Sequence, residues 1–246
     1  MFSLCIPTMN RYDNFLSKYL SEYLKYDLID EIIISDENGE DVKKIKQNFP
    51  NNDKIKLFVN QERLGPFLNK LNVCSKSKNE WIVLIDSDNF ADENYFITGK
   101  NYIINNNITQ KNIILAPSFA KPTFNYKHLN GQIFKKNNFN NIKNFEKNTN
   151  YVTNSSVLMN TGNYILNKYL IDNINLTQET NNIPCSSACD VIYFNTLLFE
   201  QLDLNLHVVS DLEYTHTVHS GSIYSQTCND FQKFNQNTHE RYYKLI

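Results

Sequence analysis

Four short apolar runs punctuate the first 90 residues, and each is followed by an amphipathic stretch long enough for a helix. The runs are Phe2–Pro7, Asp30–Ser35, Lys54–Val59 and Trp81–Ile85, each about five or six residues long, the usual length of a strand. Between them Phe15, Tyr19, Leu20, Tyr23 and Leu24 recur at helical spacing, as do Val42, Ile45 and Phe49. Leu68, Leu71 and Cys74 follow a Gly65-Pro66 step whose proline suits a first helical turn. Alternation of strand and helix winds a largely parallel sheet, with the helices packed on its faces.

Beyond residue 90 the pattern predicts a helix over Asn94–Ile104, a strand over Asn112–Ala116 and a strand over Tyr151–Leu158. Helices are expected at Tyr164–Asp172 and Cys189–Glu200, then a strand at Asn205–Val209 and a final helix from Asn229. The polar, aromatic-sprinkled stretch Lys121–Lys147 shows no clear period. No internal repeat and no linker rich in Gly, Pro or Ser separates the halves, so they are expected to share one sheet.

Composition narrows the function classes. A chain of 246 residues, 41% hydrophobic and 20% charged, can bury one large core. Twenty-four basic against 26 acidic residues, a net charge of -2, supply no excess to attract a phosphate backbone, so nucleic acid is not an expected partner. No apolar run approaches the roughly 20 residues of a membrane span. Met1–Pro7 lacks the basic n-region of a signal peptide, and the expected location is cytoplasmic. Five irregularly spaced cysteines fit a reducing compartment, and Cys185 and Cys189 have no second Cys/His pair to complete a zinc site.

Function should sit at the carboxyl ends of the strands, where loops converge on a rigid sheet. The strands end in Thr8-Met9-Asn10-Arg11, Asp36-Glu37-Asn38-Gly39 and Asp86-Ser87-Asp88-Asn89. Any one of these is also an ordinary turn or helix cap. The sharpest is Trp81-Ile82-Val83-Leu84-Ile85-Asp86-Ser87-Asp88, a buried-type strand running into two carboxylates separated by one small residue. Mg²⁺ and Mn²⁺ take one or two protein carboxylates and fill the rest of the shell with water and substrate phosphates. A diphosphate leaving group needs such charge neutralisation.

From Phe2 to about Ser222 these motifs resemble, in order and spacing, the inverting family 2 glycosyltransferases. The resemblance implies the GT-A fold: a single Rossmann-like α/β domain over 1–246, with a mixed, mostly parallel central sheet flanked by helices. It implies a nucleotide-binding half at 1–90, an acceptor and catalytic half at 91–228 and a C-terminal helix at 229–246. By this resemblance Pro7, Thr8, Asn10 and Arg11 embrace the nucleotide, Asp36 contacts its base, and Lys70 approaches it from the helix after Gly65. Asp86 and Ser87 meet the donor, Asp86 also approaching the metal, while Asp88 binds the metal directly. Asp190 falls on the catalytic acid position, with Cys189 where the family often has Glu, and Tyr214–Ser222 forms a loop from which His216 or His219 completes the metal shell.

Chemistry gives these residue types a reason of their own. An acceptor hydroxyl that displaces a nucleoside diphosphate with inversion must lose its proton, and a carboxylate within hydrogen-bond reach can take it. Asp190 is the candidate base, and the metal with Lys70 would stabilise charge on the leaving diphosphate. The expected cofactor is Mn²⁺ or Mg²⁺, the donor a nucleotide sugar, UDP-linked by family weight, and the acceptor a glycan or other hydroxyl. Phe119–Tyr126, Thr153–Ser156 and Pro184–Ser187 are candidate acceptor contacts. Two alternatives stay open at this point: a sugar-phosphate nucleotidyltransferase, weakened by the lack of a glycine-rich loop after Pro7, and a nucleotide-sugar-binding module without turnover.

Overall fold

The four N-terminal runs become β1 (Phe2–Thr8), β2 (Ile29–Asp36), β3 (Ile55–Val59) and β4 (Trp81–Leu84), in a computed structural model that describes residues 1–136, 158–159, 162–176, 190–222, 236–238, 240–241 and 244. All four are parallel, in the spatial order β3-β2-β1-β4. The consecutive residues Ile32, Ile33 and Ile34 are each 0% exposed, so the sheet is covered on both faces, as parallel sheets require.

The covering helices follow their start signals. After a π-type turn at Tyr12–Leu16 come α1 (Ser17–Tyr23), α2 (Glu40–Asn48), α3 (Gly65–Ser75) and α4 (Glu93–Asn105). Gly39 takes φ +83 to turn the chain into α2, a left-handed conformation that costs glycine least. Pro66 sits in the first turn of α3, and Asp92 caps α4 by accepting from the Tyr95 N–H at 3.2 Å, a cap worth about 1 kcal/mol.

The second half extends the same sheet. β5 (Ile113–Lys121) carries a short antiparallel partner, β6 (Phe124–Asn125), while β7 (Ile133–Phe134), β8 (Tyr164–Asn167) and β9 (Asn205–Thr215) complete nine strands in the described residues. β8 lies antiparallel between β4 and β5, and β9 runs parallel to β5. The helices here are α5 (Lys168–Asn173) and α6 (Asp190–Leu202). The molecule is therefore a single α/β domain with a mixed, mostly parallel sheet flanked by helices.

One expected element is corrected. Tyr164–Asp172 is not one helix: Tyr164–Asn167 is a fully buried strand, and the helix starts only at Lys168, with the Asn167 side chain accepting from the Tyr169 N–H at 3.0 Å. The strand expected at Tyr151–Leu158 falls outside the described residues except for Leu158, which sits in a helical turn. Cys189 and residues 229–235 also lie outside them.

Strand polarity decides where the site sits. β5 and β9 run the same way as β4, because β8 is antiparallel to both β4 and β5. The carboxyl ends of β1, β2, β4 and β9 thus share one edge of the sheet, and the amino end of β8 joins them there.

Candidate functional site

The loop after β1 is shaped by a buried carboxylate from α2. Asp41 accepts from the backbone N–H groups of Arg11, at 2.9 and 3.0 Å, and Tyr12, at 2.8 Å, and from Thr8 Oγ1 at 2.5 Å. Asn10 takes φ +57, which Asn tolerates better than other side-chain-bearing residues, and its Oδ1 accepts from Asn38 Nδ2 at 2.9 Å. Pro7 lies in β1 beside Ser35.

Asp36 ends β2 and is 0% exposed. Its Oδ2 accepts from the Val42 N–H at 3.0 Å and its Oδ1 from the Asn38 N–H at 3.3 Å, so it organises the turn into α2. Burial raises its pKa above the ordinary carboxylate value, and the Val42 and Asn38 N–H groups restrain the shift. The resemblance implies a contact of this carboxylate with the nucleotide base; its hydrogen bonds among the described residues come from backbone N–H groups.

Asp86, Ser87 and Asp88 follow β4. Asp88 Oδ2 lies 2.9 Å from His219 Nε2, within hydrogen-bond distance, and 4.0 Å from Arg11 Nε. Arg11 Nη2 also donates to the Gly221 carbonyl at 2.8 Å, and Asn89 Oδ1 accepts from the Thr217 N–H at 3.0 Å. The loop after β9 is thereby tied at three points to the β1 and β4 loops. Phe15 backs the His219 ring at 5.1 Å between centroids.

The spacing of Asp88 and His219 suits a shared cation. Two cis ligands in an octahedral shell with bonds near 2.1 Å lie about 3 Å apart, against 2.9 Å here. Among the described residues no group of three or more His, Cys, Asp or Glu side chains is arranged to hold an ion. Asp88 and His219 are side chains that would hold such an ion, the remaining positions going to water and phosphate oxygens, as hard divalent cations commonly accept. His216 differs from His219: its ring packs on Phe124 at 5.1 Å, its buried Nδ1 has no hydrogen-bond partner among the described residues, and burial lowers its pKa against the pull of Asp88 and Asp86.

Lys70 joins the two halves. Its Nζ lies 2.9 Å from Asp86 Oδ1 and 2.8 Å from Asp190 Oδ2, with its side chain 13% exposed. Burial opposes the ammonium charge, but Asp190 and Asp86 outweigh it and hold Lys70 above the ordinary lysine pKa. Asp190, 3% exposed in the first turn of α6, has its carboxyl pushed up by burial while Lys70 pulls it down. The helix N-terminus favours its ionised form. Lys70 pairs with two carboxylates, Asp86 and Asp190, while Asp88, two residues along the same turn, meets Arg11 and His219.

A sequence model of glycosyl transferase family 2 matches residues 3–172. The chain belongs to this family. No curated protein sequence matches it. In structure it resembles S. aureus TarS 1–349 in complex with UDP-GlcNAc, with a TM-score of 0.67 at 12% identity over 98% of this chain and 66% of that one. TarS 1–349 on its own gives 0.60 at 13% identity, covering 87% and 59%. The mannosyltransferase PcManGT from Pyrobaculum calidifontis, in complex with GDP-Man and Mn²⁺, gives 0.56 at 13% identity, covering 92% and 59%. At such identities the likeness is one of fold, GT-A. The family 2 chain spans about three fifths to two thirds of the length of these solved chains.

Two residues of this family 2 site carry no local sequence signal. Asp41 reaches partners about 30 positions away. Asn163, 1% exposed, accepts from the Asp86 N–H at 2.8 Å. Of the candidate acceptor contacts, Phe119 and Phe124 are half-buried on the β5–β6 hairpin, while Thr153–Ser156 and Pro184–Ser187 lie outside the described residues. No helix of the described residues is long and apolar enough to cross a membrane.

Proposed function

We propose that the protein is a metal-dependent inverting glycosyltransferase that moves a sugar from a nucleoside-diphosphate sugar, UDP-linked, to a hydroxyl of a glycan or other acceptor, with Asp190 as general base. The observation that carries this reading is Lys70, whose ammonium lies within 3 Å of both Asp86 and Asp190. That contact brings the candidate base next to the acidic turn where a diphosphate would sit.

In a single displacement the acceptor oxygen bonds to the anomeric carbon as the bond to the diphosphate oxygen breaks. Asp190 takes the hydroxyl proton, and its burial-raised pKa makes it a better proton acceptor than a solvated aspartate. Lys70 and Arg11 face the charge that grows on the leaving diphosphate, already oriented by their protein partners, so little reorganisation is needed as it develops. Asp88 and His219, with Asp86 nearby, would hold Mn²⁺ or Mg²⁺, which neutralises diphosphate charge when bound. Pro7, Thr8, Asn10, Arg11, Asp36 and Ser87 are assigned to the donor's cradle, Asp36 at the nucleotide base. Free, buried Cys5 and Cys74 accord with a reducing, cytoplasmic setting.

Asp190→Asn tests the base. It removes the proton acceptor with little change of shape, so nucleoside diphosphate affinity should stay within about twofold while turnover falls roughly 100-fold or more. Transfer by the variant at the wild-type rate would sink the assignment.

A further inference from the structure

At the amino end of β8 the chain makes a sharp approach to the site. Gly162 takes φ +69, and a Cβ there would lie 2.6 Å from Val191 Cγ2 and 3.4 Å from Lys70 Cε. Only a residue without a side chain lets this backbone pass so close to both Lys70 and the start of α6. The next residue, Asn163, is thereby placed opposite the end of β4, because β8 pairs antiparallel with it through Leu84 and Tyr164.

Every polar group of Asn163 named in this contact faces the site or its supports. Oδ1 accepts from the Asp86 N–H at 2.8 Å, and Nδ2 donates to Asp86 Oδ2 at 3.5 Å and to the Tyr214 hydroxyl at 3.2 Å. Its own carbonyl accepts from the Tyr95 hydroxyl at 3.0 Å. Tyr214 belongs to β9, the strand that delivers His216 and His219, and Tyr95 belongs to α4. One buried residue therefore links the acidic turn and the strand leading into the histidine loop through its side chain, and the helix behind them through its backbone carbonyl.

We infer that Asn163 is a positioning residue for the donor site: it fixes the Asp86 backbone and carboxylate so that Lys70 can span Asp86 and Asp190. The inference rests on the reading of the acidic turn and Lys70 as a donor site. A neutral amide suits the task because it presents an acceptor to the Asp86 N–H and a donor to its carboxylate at once. A carboxylate at 163 would keep the first contact and turn the second into a like-charge approach.

The test uses Asn163→Asp, which preserves volume, alongside Asn163→Ala. Wild type and variants are compared by calorimetric UDP affinity with Mn²⁺, by separate KM values for donor and acceptor, and by hydrogen exchange at the Asp86 amide. Both variants should bind UDP about tenfold more weakly and raise the donor KM in step, leaving the acceptor KM within about twofold. In Asn163→Ala the Asp86 amide should lose its exchange protection. A purely structural role would lower the unfolding midpoint and kcat while leaving UDP affinity unchanged. UDP affinity and donor KM at wild-type values in folded Asn163→Asp would overturn the inference, as would an Asp86 amide still protected in Asn163→Ala. If wild type binds no UDP yet that protection is lost, the donor-site reading fails and the positioning stands.

Discussion

Lys70→Met removes the ammonium that pairs with both Asp86 and Asp190. Its Nζ sits 2.9 Å from Asp86 Oδ1 and 2.8 Å from Asp190 Oδ2. The two carboxylates respond differently to its loss. Asp86, with 27% of its side chain exposed, is rehydrated, whereas Asp190, at 3%, keeps a desolvated charge with the Val191 N–H but without its ammonium partner. Deleting one member of a buried pair costs about 3–5 kcal/mol, and the lower end, about 3 kcal/mol, applies here because Asp190 can escape by binding a proton. That escape fixes the pH dependence. Burial already raises the Asp190 pKa on folding and Lys70 restrains the rise, so without Lys70 the folded pKa climbs further above the unfolded one. Between the two pKa values the folded state binds the extra proton, and stability falls as pH rises through this window. Urea unfolding should therefore show a larger loss for Lys70→Met at pH 7 than at pH 5, and Lys70→Met with Asp190→Asn should recover much of it. A single variant within about 0.5 kcal/mol of wild type at pH 7, or a loss that grows on acidification, would refute this reasoning.

Two further outcomes follow from the same geometry. Asp41→Ala leaves the Arg11 and Tyr12 N–H groups and the Thr8 hydroxyl without their shared acceptor; it should cost about 2–3 kcal/mol, a drop in the unfolding midpoint on the order of 4–12 °C for a domain of this size, read by calorimetry. His219→Ala removes one of two side chains suited to a cation, so the Mn²⁺ concentration giving half-maximal enhancement of UDP binding should rise on the order of tenfold; an unchanged Mn²⁺ titration would remove His219 from the metal shell.

Most of the sheet's parallel half was legible because β1 to β4 are apolar runs bounded by turn residues, a local signal. β8 was not: its run is only Tyr164-Ile165-Leu166-Asn167 and leads without a break into α5. A short apolar run beside a helix reads as part of that helix, and what makes it a strand is pairing with β4 and β5, which are distant in sequence. The site divides in the same way. Asp86, Asp88, Lys70, Asp190 and His219 were singled out from motif order; Lys70 pairs with Asp86 and Asp190, and His219 with Asp88. Asp41 and Asn163 were passed over because an Asp early in a helix and an Asn before a strand are common, and only long-range hydrogen bonds distinguish these two. Asp36, which motif order places at the nucleotide base, also accepts from the Val42 and Asn38 N–H groups and so shapes the turn before α2, a role motif order does not reveal.

The most direct test of the donor site is thermal unfolding against a panel of nucleoside diphosphates and nucleotide sugars, with and without Mn²⁺, for wild type and Asp88→Ala. A ligand that binds only the folded state raises the midpoint by mass action. The account predicts a Mn²⁺-dependent rise with UDP and UDP-sugars in wild type that disappears in Asp88→Ala. A midpoint unmoved by every nucleotide would contradict it, leaving Asp86 and Asp88 as turn residues.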